Sequence, residues 1–138
     1  MSGEAFFDTN VVLYLLSADA AKADRAEQLL GEGGVISVQV LNEFAAIATR
    51  KLGMSWDEVA EALAAVRAVC RIESLTADTH DKGRELALRY GFSVYDAMIV
   101  ASAVLAGATV LYSEDLQDGQ RVDGRLTIRN PFRKAEKV

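Results

Sequence analysis

Short apolar runs alternate with longer amphipathic segments along this chain. The apolar runs predict buried strands at residues 4–7, 35–36, 70–75, 109–112 and 126–128. Helical periodicity and capping signals predict helices at residues 11–17, 20–30, 38–52, 56–68, 78–90 and 94–106. Strands that alternate with helices are typical of a parallel sheet covered on both faces. The sequence therefore predicts a single α/β domain over residues 1–138, with a short central parallel sheet and helices on both sides.

Composition agrees with one folded domain in a reducing compartment. About half of the 138 residues are apolar and a quarter are charged, which is typical of a globular protein. The single cysteine, Cys70, excludes an internal disulfide and is expected to be a buried apolar residue. We find no signal-peptide pattern, and the longest apolar stretch is interrupted by Asp96, so we expect a cytoplasmic protein without a membrane span.

Charge is distributed unevenly along the chain. The net charge is −5, which argues against non-specific binding of polyanions by the whole surface. Residues 119–138 contain six basic and two acidic residues, a net charge of +4, so the remainder carries −9. This basic segment fits a nucleic-acid contact, a protein contact or a solvated surface. Its arginines Arg121, Arg125 and Arg129 are candidates for phosphate contacts, as are Arg50 and Lys51 elsewhere.

Polar residues that could bind a metal ion or a substrate follow the ends of several predicted strands. Asp8 directly follows the first strand, and Ser37 follows the second. Ser113 and Asp115 come after the strand TVLY. In open α/β sheets, ligands bind in the crevice beyond the carboxyl ends of the strands. These positions are therefore the first candidates for a functional site.

Two further carboxylates belong to helices. Glu43 lies on or beside the apolar stripe of its helix, where a surface glutamate is unexpected. Asp96 opens the helix at 94–106, which is apolar on nearly every side and is expected to be central. Local roles remain open, because Asp8 and Asp115 could cap a helix or occupy a turn. Asp96 could likewise complete a Ser-x-x-Asp cap.

Together the four carboxylates predict a divalent metal site. Ionised carboxylates in one dry crevice raise each other's pKa, and a divalent cation removes that conflict. Oxygen ligands without histidine or a second cysteine nearby favour Mg²⁺ or Mn²⁺ over zinc. Such a site suits hydrolysis of phosphodiester bonds, because metal ions can ready a water for in-line attack and stabilise the leaving oxygen. The four residues are Asp8, Glu43, Asp96 and Asp115.

Uncharged polar residues near these carboxylates have the chemistry to orient carboxylates, water or phosphate. They are Thr9, Asn10, Ser37 and Ser113. Asp118, just before Gly119, is interpreted first as a turn residue, and a contribution to the site stays open.

Four motifs in order resemble the successive motifs of PIN-domain ribonucleases. They are FFDTNVVLYLL, ISVQVLNEF, FSVYDAMIVASA and VLYSEDLQDGQ. More narrowly, the chain resembles VapC-type toxins of bacterial toxin–antitoxin pairs over nearly its whole length. The resemblance implies a homodimer, an RNA substrate, inhibition by a small antitoxin protein, and an acidic metal site formed by Asp8, Glu43, Asp96 and Asp115. Asn10 and Ser113 match polar positions flanking that site, and Asp118 is carried over as a further contributor.

Two other functions compete with a metal-dependent ribonuclease. FFDTNV also resembles the haloacid dehalogenase pattern, in which an aspartate after a strand is the nucleophile of a phosphatase. Asp8 would then be the nucleophile, but Asn10 stands where that pattern has a second aspartate. The other alternative is a non-catalytic PIN-like module that only binds a partner, which retention of all four carboxylates argues against.

Overall fold

A six-stranded sheet organises the fold. The structure, a computed structural model, describes residues 4–133. The strands are β1 (Ala5–Phe7), β2 (Gly34–Ser37), β3 (Cys70–Glu73), β4 (Val110–Tyr112), β5 (Arg121–Val122) and β6 (Leu126–Arg129). They lie in the order β3-β2-β1-β4-β6-β5, and every neighbouring pair is parallel except β5 with β6. The predicted α/β class and parallel sheet are confirmed, with an antiparallel edge strand that the sequence did not predict.

Six α-helices surround this sheet. They are α1 (Thr9–Leu13), α2 (Ala20–Gly31), α3 (Val38–Lys51), α4 (Trp56–Val69), α5 (Ala77–Tyr90) and α6 (Val94–Leu105), with a 3₁₀ turn at Tyr14–Leu16. The capping box of Ser55 and Glu58 begins α4 as predicted. Gly91 ends α5 in the left-handed conformation, with a φ of 79°, which glycine adopts without steric cost.

The core lies between the sheet and these helices. The strands contribute fully buried side chains such as Phe6, Ile36 and Leu111. Each such side chain contributes about 1.5–3 kcal/mol by leaving water. The predicted central helix, α6, buries six of its twelve residues, and Cys70 is buried as expected. No single helix within residues 4–133 is long and apolar enough to span a membrane.

Pairing of β1 with β4 brings together the polar residues that follow these two strands. Phe7 of β1 is in register with Tyr112 of β4, so the residues that follow these two strands are neighbours. The backbone N–H of Asp8 donates to the carbonyl of Tyr112 at 3.0 Å. Helix α1 starts at Thr9, two residues before the predicted start, because Asp8 already serves as its N-cap.

Candidate active site

Asp8 is the most enclosed carboxylate at this edge of the sheet, with 5% of its surface exposed. The backbone N–H of Thr9 donates to its Oδ1 at 2.7 Å. The Ser113 hydroxyl donates to its Oδ2 at 2.7 Å, and Asn10 Nδ2 lies 3.3 Å from the same oxygen. Both oxygens of a carboxylate removed from water are thus held by hydrogen bonds.

Burial also changes the acidity of Asp8. It raises the pKa of this carboxyl from 3.8 to about 6, and it is the largest cause of the shift. The hydrogen bonds from Ser113 and Thr9 lower the pKa, whereas the negative charges of Glu43 and Asp96 raise it. Three of the four predicted site carboxylates therefore interact electrostatically. A positive charge placed among them would favour the ionised form of Asp8.

Glu43 is held toward Asp8 from helix α3. The hydroxyl of the buried Thr9 donates to Glu43 Oε1 at 2.7 Å. Gln39, one helical turn earlier, donates from Nε2 to Oε2 at 2.8 Å. Gln39 was not among the predicted residues, although its spacing of four from Glu43 on a helix signals such a contact.

Asn10 links Asp8 to the loop after β4. Its Nδ2 lies 3.1 Å from Asp115 Oδ2, in addition to the contact with Asp8. Its Oδ1 accepts a hydrogen bond from the backbone N–H of Glu114 at 3.1 Å. One amide side chain thus fixes the position of Asp115 relative to Asp8, as a residue that orients ligands would.

Asp96 reaches the site from the first turn of α6. Ser93 caps this helix by accepting from the Asp96 backbone N–H at 3.2 Å. The half-buried Asp96 carboxylate accepts no hydrogen bond from residues 4–133. The helix N-terminus offers this carboxylate a favourable partial positive charge. The side-chain oxygens of Asp96 are thus available to a ligand, as is Oδ1 of the exposed Asp115, whose Oδ2 contacts Asn10.

Two of the predicted flanking residues have other partners. Ser37 is fully buried and caps α3, accepting from the Val40 backbone N–H at 3.3 Å. Asp118 accepts from the Asn130 backbone N–H at 2.9 Å and pairs with Arg133 at 3.1 Å. The backbone hydrogen bond is the main reason that the pKa of Asp118 is lowered. Within the described residues, neither side chain is hydrogen-bonded to one of the four carboxylates.

A second polar cluster, missed by the sequence analysis, borders the site. Lys22 Nζ contacts Glu114 Oε2 at 3.0 Å and Tyr14 Oη at 3.1 Å, and the Tyr14 hydroxyl donates to Glu114. Nothing local in the sequence links these three positions. Glu114 directly precedes Asp115, so this cluster anchors the loop that carries an acidic site residue.

The donor set fits a hard divalent cation, although the side chains do not yet enclose one. All four candidate ligands are carboxylates, the type that Mg²⁺ and Mn²⁺ prefer. A cation bound among these groups would offset the raised pKa of Asp8, and the Asp96 oxygens accept no hydrogen bond from residues 4–133. Within residues 4–133, however, no three acidic, histidine or cysteine side chains stand close enough to hold a metal ion. Glu43 and Asp115 are instead engaged by neighbouring polar groups.

The candidate basic residues divide between the two edges of the sheet. Arg129 ends β6, at the edge where the carboxylates lie. Arg125 precedes β6 at the opposite edge, in the neighbourhood of Gly107. Arg125 is therefore not beside the carboxylates. The basic residues at 134 and 137 lie outside the described residues.

Removing the Ser113 hydroxyl is expected to cost about 1–3 kcal/mol of unfolding free energy at pH 7. Besides donating to Asp8, this oxygen accepts from the backbone N–H groups of Asp115 and Leu116 at 3.2 Å each. Ser113→Ala leaves both donors without an acceptor. Ser102→Ala is the matched control, because this buried hydroxyl only donates to the Met98 carbonyl. Equal losses for the two variants in urea unfolding would contradict the assignment.

Comparison with known proteins identifies the family. The PIN domain model matches residues 5–123, and the chain therefore belongs to the PIN domain family. The four carboxylates all fall within the matched residues. Among curated proteins, no sequence matches this chain.

Solved structures agree with this assignment. VapC20 of Mycobacterium tuberculosis, described as a toxin that cleaves the sarcin–ricin loop, is 27% identical, with a TM-score of 0.65 over 80% of this chain and 89% of that one. A toxin–antitoxin complex from Klebsiella pneumoniae is 21% identical, with a TM-score of 0.70 over 93% and 98% of the two chains. VapBC2 from Rickettsia felis, bound to promoter DNA, is 18% identical, with a TM-score of 0.59 over 80% and 87%.

The resemblance to PIN domains of the VapC type, expected from the motifs, is confirmed. The haloacid dehalogenase alternative loses its basis, because strand β1 and the aspartate that follows it belong to a PIN domain. Asn10, which departs from that other pattern, hydrogen-bonds to both Asp8 and Asp115 here.

Proposed function

We propose that this protein is a metal-dependent endoribonuclease and the toxin of a type II toxin–antitoxin pair. The observation that carries the proposal is the buried Asp8 of a PIN domain. The negative charges of Glu43 and Asp96 disfavour its ionisation. Support for RNA as the substrate comes from the similarity to VapC20, a toxin that cleaves the sarcin–ricin loop. Buried carboxylates that oppose each other's ionisation are typical of functional sites.

The four carboxylates are proposed to hold Mg²⁺ or Mn²⁺. PIN-domain nucleases generally use divalent metal ions. Asp8 and Asp96 are the principal ligands in this proposal, and Glu43 and Asp115 complete the site directly or through water. When bound, the cation supplies positive charge for the scissile phosphate and lowers the pKa of the attacking water.

The surrounding polar residues prepare this site before substrate arrives. Ser113 and the backbone N–H of Thr9 fix both oxygens of Asp8. The Thr9 hydroxyl keeps Glu43 turned toward Asp8, in a position to orient water. Asn10 sets the spacing between Asp8 and Asp115. This preorganisation places the acidic groups before the phosphodiester bond is bound.

Partners and location are part of the same proposal. Structural similarity to toxin–antitoxin complexes supports inhibition by a small antitoxin protein. A homodimer and a cytoplasmic location are further proposals, which rest on the family resemblance and on the single buried cysteine.

The test is cleavage of total and defined RNAs by protein freed of any copurified partner. We expect cutting in Mg²⁺ or Mn²⁺, none in EDTA, and recovery when excess metal is added back. A mock purification controls for contaminating nucleases. Cutting that persists in EDTA would contradict metal dependence. No cutting of any RNA class would favour the alternative, a PIN-like module that only binds a partner.

A further inference from the structure

A groove of about 480 Å³ lies beside the second polar cluster. One wall is the start of helix α2, with Lys22 and Arg25, and the other is the segment after β6, with Phe132 and Arg133. Three cations and an aromatic ring line this groove with one carboxylate, Asp19, whose Oδ1 caps α2 by accepting from the backbone N–H groups of its first turn. The groove is therefore net positive on a protein whose net charge is negative. This composition differs from that of the acidic site itself.

Arg25 is the cation in this groove whose charge is not balanced. Lys22 pairs with Glu114. The half-buried Arg25 donates instead from Nε to the Pro131 carbonyl and from Nη1 to Gln28 Oε1, both at 3.1 Å. Both acceptors are neutral, and no carboxylate among residues 4–133 forms an ion pair with Arg25. Its guanidinium is therefore held in place while its charge remains available to an anion.

An aromatic surface adjoins this charge. The Phe132 and Tyr14 rings meet edge to face, with centroids 4.7 Å apart. Lys22 Nζ lies 4.5 Å from the centroid of the Tyr14 ring and 5.9 Å from that of Phe132. Partly exposed rings combined with cations are typical of single-stranded nucleic-acid binding, where the bases stack and the cations bind phosphate.

The walls of the groove contact the loop after β4, residues 113–120. Glu114, which pairs with Lys22, donates its backbone N–H to Asn10, which contacts Asp8 and Asp115. From the other wall, Arg133 pairs with Asp118 at the end of the same loop. A chain lying in the groove would therefore pass beside the loop that carries Asp115.

We propose that this groove binds the single-stranded RNA next to the scissile bond, with a phosphate on Arg25 and a base against Phe132. The inference rests on the proposed ribonuclease function and adds the surface that holds the substrate. An acidic protein segment could pair with Arg25, but it would leave unexplained why aromatic rings and cations border the loop after β4. RNA accounts for both features.

The experiment separates binding from cleavage. Binding of a fluorescein-labelled single-stranded RNA of mixed sequence is measured by anisotropy in EDTA, at several salt concentrations. Arg25→Gln should lower the slope of log affinity against log salt by about 0.7, the value for one phosphate on a single strand. Arg25→Lys should keep the slope. Arg84→Gln, an exposed arginine on α5 that does not line the groove, should match the wild type.

A second variant tests the aromatic contact independently. Phe132→Leu keeps an apolar side chain against Tyr14 but removes the ring. It should weaken RNA binding about tenfold without changing the salt slope, because stacking involves no counterion release. In Mg²⁺, both groove variants should raise KM more than they lower kcat. Thermal unfolding confirms that each variant is folded.

The outcomes distinguish the two proposals. If the wild type binds and cleaves RNA but both groove variants match Arg84→Gln, the groove assignment is overturned and the ribonuclease stands. If both variants instead lose affinity for an acidic peptide alone, the groove is a protein-binding surface and the assignment is likewise overturned. If the wild type neither binds nor cleaves any RNA, the ribonuclease proposal fails and the groove assignment fails with it.

Discussion

Asp96→Asn should reduce metal-dependent RNA cleavage by at least about 100-fold while leaving the protein folded. A carboxylate ligand that supports Lewis-acid chemistry contributes several kcal/mol to the reaction, and each 1.36 kcal/mol is a factor of ten in rate. The substitution is nearly isosteric, and no residue from 4 to 133 donates a hydrogen bond to the carboxylate it replaces. The Ser93 cap uses the backbone N–H of Asp96 and is unaffected. The measurement is initial cleavage rate in saturating Mg²⁺.

The matched control for this prediction is Asp78→Asn. Asp78 is also an aspartate in the first turn of a helix, α5, but it is exposed and belongs to no carboxylate cluster. Both substitutions remove one favourable interaction with a helix dipole, worth about 0.3–1 kcal/mol. Only Asp96→Asn should lose cleavage. Equal activity of the two variants would mean that Asp96 is not a metal ligand.

The positions of the acidic residues could be predicted because they depend only on the order of the elements. Parallel strands end at one edge of a sheet, so Asp8 and Ser113 could be placed at the same edge once β1 and β4 were recognised as strands. The pairing of β1 with β4, seen in the structure, makes them neighbours. Glu43 stood out because a charged residue interrupts an apolar stripe. These inferences need hydrophobic periodicity and no knowledge of side-chain conformation.

The contacts that organise the site could not be predicted in this way. Asn10 reaches Asp115 across 105 residues of sequence, and Lys22 reaches Glu114 across 92. Such pairs depend on rotamers and loop paths that leave no periodic signal. Strand β5 has two residues, too few to show alternation, and it pairs antiparallel because a tight turn joins it to β6.

Asp118 shows what the sequence leaves open for a loop carboxylate. The sequence indicates a turn residue first, and the family resemblance leaves a contribution to the metal site open. In the folded chain it accepts the Asn130 backbone N–H and pairs with Arg133. The Asp118 carboxylate therefore holds the segment that forms one wall of the groove. We expect a substitution of Asp118 to affect RNA cleavage through the position of that segment.

Without metal, the protein should be less stable at neutral than at mildly acidic pH because of Asp8. The folded pKa of about 6 lies above the ordinary aspartate value of 3.8, so the folded state binds a proton more tightly than the unfolded state. Its unfolding free energy must then fall as pH rises between these values. The full effect is about 3 kcal/mol, of which about 1 kcal/mol falls between pH 5 and 7.5. Urea unfolding in EDTA measures it.

Other carboxyls set the lower limit of this window. The hydrogen bond from the Ser55 backbone N–H is the main reason that the folded pKa of Glu58 is lowered. The folded pKa of Asp118 is also lowered. Groups with a lowered pKa stabilise the folded state above their unfolded pKa, and that contribution is lost as pH falls through the folded pKa. Stability without metal should therefore be greatest below the folded pKa of Asp8, where the two effects balance.

Two further measurements, on Asp8→Asn and with added metal, test whether Asp8 is the group that titrates. The variant should lose the decline in stability between pH 5 and 7.5, whatever its absolute stability, because an amide does not titrate. Mg²⁺ should stabilise the wild type more at pH 7.5 than at pH 5, since a ligand that binds only the folded state adds to its stability and requires ionised Asp8. The same ionic strength of NaCl is the control. A decline that persists in Asp8→Asn, or a metal effect independent of pH, would place the titrating group elsewhere.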